Sequence, residues 1–191
     1  TIPFKENIIK ILTSIDEDAT QIGAVNCVTI NGKKIKGSNT DWIGFQKSIN
    51  KKVLNKNNAL ILGYGGAAKA IKYALQKEGY KKIKIFNRSL EKLNNINNKN
   101  IKCYPLDDFL NHSKSADLII NTIPVDFLKG QKIIINDNAA ICDIVYKPMK
   151  TKFLNHFINH KNIIYGIHML AYQAAPCFYK WYGIMPEVND D

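Results

Sequence analysis

Arginine is almost missing from this chain. Of 27 basic residues one is an arginine, Arg88, and the others are lysines. Long apolar runs are missing too: none approaches the length of a membrane span, although a hydrophobic content of 46% is enough for a packed core. The four cysteines, Cys27, Cys103, Cys142 and Cys177, include no Cys-x-x-Cys pair, which reads simply as a reduced, cytoplasmic protein. The opening Thr1-Ile2-Pro3-Phe4-Lys5 lacks the basic flank and apolar stretch of a secretory signal. It also lacks a methionine and begins on what reads as a strand-to-helix junction. The expectation is therefore an internal or C-terminal portion of something longer.

Acidic residues are outnumbered, 16 against 27, and the net charge is +11. Such a balance suggests nucleic acid at first sight. The lysines, however, are scattered singly or in pairs (Lys33-Lys34, Lys51-Lys52, Lys81-Lys82), without the aromatic platform or groove-reading helix that such binding uses. The charge instead favours solubility and attraction of small anions. His156 and His160 stand four apart but lack an intervening Glu and a third ligand, so a solvated helix face is expected in place of a metal site. At 191 residues the chain is one large domain or parts of two.

What is present centres on one turn. The run Ala59-Leu60-Ile61-Leu62-Gly63-Tyr64-Gly65-Gly66-Ala67-Ala68 reads as an apolar strand passing through glycines into a helix. Backbone N–H groups and a helix N-terminus there face an anion, and glycine lets the backbone approach a pyrophosphate. Alanine replaces the third glycine of the common spelling and is still small enough for close helix–strand packing. About 20 residues on, an NAD site usually carries an acid for the ribose 2′-hydroxyl. Asn87 and Arg88 stand there instead. A carboxylate would repel a 2′-phosphate, whereas a guanidinium binds it through a planar fork of donors, so the expected cofactor is NADP.

Before that turn, Ile8, Ile9 and Leu12 suggest a short helix from Lys5 to about Leu12. Ala24 to Ile30 reads as a strand, Asn31-Gly32 as a two-residue hairpin turn and Lys34 to Ser38 as the partner strand. Asn39-Thr40-Asp41 offers N-cap chemistry for a helix bearing Trp42, Phe45 and Ile49, and Lys51 to Asn58 reads as a linker. Six strands are then expected, at 59–62, 82–86, 101–104, 117–121, 139–143 and 163–165, with helices notably at 67–78 and 150–158. Strands alternating with helices imply an α/β, Rossmann-type doubly wound parallel sheet. A last apolar helix, Ile167 to about Tyr182, is expected to leave the sheet.

Outside the nucleotide half, three polar positions invite a catalytic reading. Lys5 also reads as a surface lysine, Asn26 as an edge-strand residue and Asp41 as an N-cap. Together they fit a carbonyl reductase, which needs a proton donor beside the carbonyl oxygen and a charged partner to hold it.

Motif after motif and in order, the chain resembles the shikimate dehydrogenase family. The motifs are Thr1-Ile2-Pro3-Phe4-Lys5, Gly23-Ala24-Val25-Asn26, Gly37-Ser38-Asn39-Thr40-Asp41, Gly63-Tyr64-Gly65-Gly66-Ala67 and Asn87-Arg88-Ser89. Asn121-Thr122-Ile123-Pro124, Asp143-Ile144-Val145-Tyr146-Lys147-Pro148 and Gly166-Ile167-His168-Met169-Leu170-Ala171-Tyr172-Gln173 continue the likeness to the end. The resemblance implies reversible NADPH-dependent reduction of 3-dehydroshikimate to shikimate, in the aromatic amino-acid pathway, by a monomer or homodimer without nucleic-acid or membrane partners. A quinate/shikimate dehydrogenase and a non-catalytic NADP-binding fragment are the alternatives.

Carried over by position, the resemblance implies Lys5 and Asp41 as the catalytic pair, and Thr1, Asn26, Tyr146 and Gln173 as substrate-binding partners. Gly63, Gly65, Gly66, Ala67, Ile144 and Gly166 would line the cofactor's cleft. Asn87, Arg88 and Ser89 would form the 2′-phosphate loop, with Lys92 one helical turn on as a second positive charge. The expected division is substrate domain at 1–50, NADP-binding domain at 51–165 and a helix at 166–191 returning to the substrate domain. The family carries a preceding segment with a Ser-x-Ser carboxylate grip and strands pairing with 24–30, so an open sheet edge is expected here. His168, where a small residue is common, is expected to narrow the substrate cleft.

Overall fold

A computed structural model describes residues 3–50, 52–94 and 96–189. Thr1, one of the expected substrate partners, lies outside the described residues.

The six expected strands form one parallel sheet. In chain order they are β4 (Asn58–Leu62), β5 (Lys82–Asn87), β6 (Ile101–Pro105), β7 (Leu118–Asn121), β8 (Ala140–Asp143) and β9 (Ile163–Tyr165). Their spatial order is β6-β5-β4-β7-β8-β9. This is the doubly wound order of dinucleotide-binding folds, with its reversal between β4 and β7. Alternate residues of each strand serve opposite cores. Ala59, Ile61, Leu118 and Ile120 face one cluster, while Leu60, Leu62, Ile119 and Ile141 face the other. Burial on both faces explains why these strands read as continuous apolar runs.

Helix α2 (Asp41–Ile49) and helix α3 (Gly66–Lys77) cover the first face through Phe45, Ile49, Ile71 and Leu75. Helix α4 (Phe109–Ser113) and helix α5 (Lys152–Asn155) cover the second through Phe109, Phe153 and Leu154, with Phe157 just beyond. Helix α5 is a single turn, not the 150–158 helix expected. Thr151 caps it, accepting from the Leu154 N–H at 3.1 Å, and the chain then breaks into turns. His156 accordingly stands on no solvated helix face. Its Nε2 lies 3.1 Å from the Asp126 carboxylate, and His160 Nε2 lies 2.6 Å from the Ala139 carbonyl.

A smaller sheet carries the rest. Strands β1 (Ser14–Ile15), β2 (Cys27–Asn31) and β3 (Lys34–Ser38) run in the order β1-β3-β2. Asn31 pairs with Lys34, so the hairpin loop is Gly32-Lys33, one residue later than expected. Gly32 takes φ +57° at the first loop position, where a type II′ turn needs glycine. The expected strand at 24–30 begins only at Cys27, because Ala24 to Asn26 turn into the site described below. The stretch expected as a helix from Lys5 is a short 3-10 turn, Asn7–Ile11. Among the described residues β2 is an edge strand, and helix α6 (Gly166–Tyr182) packs on it, with Trp181 Nε1 donating to the Val28 carbonyl at 2.9 Å. Helix α1 (Glu17–Ile22) closes this half against α3 through Ile22 and Tyr73.

Candidate active site

The central cleft is lined by segments that follow the C-terminal ends of parallel strands or the small sheet, and by the turn that carries Lys5. Gly63 leaves β4 at φ +92°, a backbone conformation that favours glycine, and a side chain there would meet Thr122 Oγ1 at 2.6 Å. Gly65 is the N-cap of α3, and a Cβ built on it meets nothing within 4 Å. Gly66 opens the helix, and its Cβ would lie 3.0 Å from Lys5 Cβ. Across the cleft, Gly166 begins α6 so close to β8 that a Cβ would lie 2.5 Å from the Ile144 carbonyl oxygen.

The polar centre is a chain of partly buried contacts. Lys5 Nζ donates to Asp41 Oδ2 at 2.5 Å, with the two side chains 12% and 5% exposed. Asp41 Oδ1 accepts from Asn26 Nδ2 at 3.0 Å, and the same amide nitrogen lies 2.9 Å from Thr40 Oγ1 and 2.8 Å from Gln173 Oε1. Asn26 Oδ1 accepts the Thr40 N–H at 2.7 Å, which fixes which way the amide faces. Backbone bonds hold the frame: Val25 N–H to the Lys5 carbonyl at 2.7 Å and Asn26 N–H to the Ser38 carbonyl at 3.1 Å. Asp41 is the first helical residue of α2, not its cap, and Asn39 Oδ1 accepts its N–H at 3.0 Å. With that N–H satisfied by Asn39, the Asp41 carboxylate is free to hold Lys5.

Two cavities meet at Lys5. One, of about 370 Å³, is walled by Asn26, Asp41, Leu170 and Gln173 as well as Lys5. The other, of about 540 Å³, runs along Gly65, Gly66 and Ala67 towards Thr122 and Pro124. Lys5, Ala67, Ile144 and Tyr146 belong to both, and Gly166 lines the first. Ten of the expected residues therefore surround one continuous space. Gly63, Asn87, Arg88, Ser89 and Lys92 do not line it. Asn87 ends β5 and donates from Nδ2 to the Ser89 carbonyl at 2.8 Å, while Arg88 and Lys92 are exposed to solvent. His168 does not narrow the substrate cleft. It faces a separate cavity of about 420 Å³ with Lys47, Lys52, Tyr165 and Tyr172.

Three participants were not foreseen in their roles. Asn39 and Thr40 read as capping chemistry in the sequence, yet both are buried and brace Asn26 and Asp41. Glu6 lines the larger cavity and reaches Lys69 on α3. Their signal was the density of polar residues in otherwise apolar surroundings. Behind the site, Asp143 is buried at the end of β8, accepting from Thr151 Oγ1 at 2.5 Å, Val145 N at 3.0 Å and Asn121 Nδ2 at 3.2 Å. Burial pushes its carboxyl above the ordinary range against those bonds.

The residues fit NADP. The open space over Gly65, the exposed helix start and the adjoining cavity leave room for a pyrophosphate, and Arg88 is exposed just past the end of β5. Among the described residues no three His, Cys, Asp or Glu side chains gather as a metal site would need, and no helix is long and apolar enough to cross a membrane.

Residues 46–142 match the family described as shikimate / quinate 5-dehydrogenase, and residues 1–28 match the shikimate dehydrogenase substrate binding domain. A shikimate dehydrogenase (NADP(+)) of Oceanobacillus iheyensis is 39% identical over 99% of this chain and 73% of its own length. Its counterpart in Methanococcus maripaludis is 36% identical over 98% of this chain and 73% of its own length. Among solved structures, shikimate 5-dehydrogenase from Thermus thermophilus, in complex with NADP(H) and shikimate, superposes with a TM-score of 0.84 at 29% identity. That match covers 98% of this chain and 73% of the other.

Proposed function

The chain belongs to the shikimate dehydrogenase family, and from that premise we infer its reaction: reversible NADPH-dependent reduction of 3-dehydroshikimate to shikimate, on the route to chorismate and the aromatic amino acids. The observation that carries the reading is the Lys5–Asp41 pair at the seam of the two cavities. NADPH, when bound along the glycine loop, supplies the hydride that the ketone carbon accepts. Lys5 donates a proton from Nζ to the ketone oxygen as charge develops there, and recovers one from water afterwards. Asp41 keeps Lys5 oriented through their ion pair. Asn26 and Gln173 present amide groups to the ring hydroxyls, with Thr1 as a third partner, and Tyr146 closes the side shared with the nicotinamide. Gly65, Gly66 and Ala67 hold the pyrophosphate, and Ile144 and Gly166 wall the nicotinamide end. Asn87, Arg88, Ser89 and Lys92 hold the 2′-phosphate.

Residues 1–50 and 166–191 then serve the substrate and 51–165 the nucleotide. Gln173 on α6 reaching Asn26 supports that division. The four free cysteines support a cytoplasmic setting, and a monomer or homodimer is proposed. Rates with shikimate and quinate, each with NADP and NAD, test the assignment. Shikimate with NADP is expected to be fastest, and a faster quinate–NAD rate would overturn it.

A further inference from the structure

Glu6 is the one acidic residue among those described that line the larger cavity, and it follows Lys5 directly in the chain. A carboxylate beside a pyrophosphate site should repel its ligand. Lys69 answers that charge: its Nζ lies 2.5 Å from Glu6 Oε2. Lys69 stands on the first turns of α3, where its N–H donates to the Gly65 carbonyl at 3.0 Å. A lysine there is poorly placed with respect to the helix dipole, whose positive end is nearby. Such a residue gains little for the helix itself, and an ion pair this exposed, with Glu6 47% accessible, holds a fold only weakly. Its position has a better explanation at the cleft.

We propose that Lys69 is a positioning residue for cofactor binding, neutralising Glu6 at the edge of the pyrophosphate site and pinning the Lys5 segment against the glycine loop. Two contacts make the second part concrete. The Lys5 stem lies 3.0–3.3 Å from where a Gly66 Cβ would stand, and the Glu6–Lys69 pair clamps the next residue to the same helix. The proposal rests on NADP occupying this cleft.

The test is titration of NADP+ into the purified protein, followed by protein fluorescence or calorimetry, without the second substrate. Lys69→Ala leaves Glu6 unpaired and is expected to raise the dissociation constant about five- to tenfold, with the loss shrinking at high salt. Adding Glu6→Gln to Lys69→Ala removes the repelling charge but not the lost clamp, and is expected to recover most of the loss, leaving the constant about two- to threefold above wild type. If the double variant binds as poorly as Lys69→Ala, Lys69 holds the phosphate itself and the neutralising role is overturned. An unaltered constant in Lys69→Ala overturns the proposal outright. Melting temperature, measured alongside, separates these results from misfolding. A wild type that binds NADP+ but does not turn over shikimate would contradict the proposed reaction and leave this inference standing.

Discussion

Gly66 and Lys5 touch across the seam between the two halves of the cleft: a Cβ on Gly66 would lie 3.0 Å from the lysine's Cβ and 3.3 Å from its Cδ. The glycine loop is therefore also the wall against which Lys5, the proposed proton donor, rests. Gly66→Ala keeps an ordinary helical backbone, so its melting temperature should stay within a few degrees of wild type. Its kcat should fall about tenfold or more, because displacing a catalytic group by a fraction of an ångström is costly. Stopped-flow rates beside a thermal melt check both; an unaltered kcat would show that the contact yields freely.

In the proposed reading, cofactor choice rests on Arg88. A charge-assisted pair with a 2′-phosphate is worth about 1.5–3 kcal/mol, or roughly 10- to 150-fold in affinity. Arg88→Ala should lose that much NADP binding while NAD binding barely changes. Arg88→Lys should lose less, keeping the charge but not the fork. Equal losses for both cofactors would mean that Arg88 supports the fold and does not read the phosphate.

Asp143 governs a pH dependence of stability. Its carboxyl titrates higher in the folded state than in the unfolded chain, where an aspartate sits near 3.9, because burial disfavours the charge. The folded state then binds the proton more tightly, so stability falls as pH rises through the interval above about 4. Asp143→Asn removes that contribution. Urea midpoints of the variant should decline less between pH 4 and 7 than those of wild type, and an equal decline would assign the effect to other groups.

His168 lines a cavity apart from the two that meet at Lys5. His168→Ala should leave the KM for shikimate within about twofold of wild type, a tolerance of under 0.5 kcal/mol. A large rise in KM would place the imidazole in the cleft after all.

Much of this was legible in the sequence, and the exceptions have physical causes. Strands such as Leu118–Asn121 were readable because burial on both faces leaves an unbroken apolar run. The hairpin slipped by one residue because Asn31 and Gly32 both suit turns, while the pairing of Asn31 with Lys34 decides which one turns. Helix α5 was overread because its apolar residues continue past Asn155 in turns that bury Phe157 equally well. Positions 166, 169, 170 and 173 share one face of α6, whereas 168 and 172 share another, next to Tyr165 at the end of β9. That periodicity could have turned His168 away from the cleft. The Asn39 and Thr40 roles depend on contacts with Ala24 and Asn26, more than ten residues away, which local capping rules do not see.

The central claim is that Lys5 delivers the proton to the ketone oxygen. Its most direct test is steady-state reduction of 3-dehydroshikimate by NADPH in wild type and Lys5→Ala. The account expects kcat to fall about 100-fold or more while substrate binding changes much less. A Lys5→Ala protein that turns over at nearly the wild-type rate would contradict it.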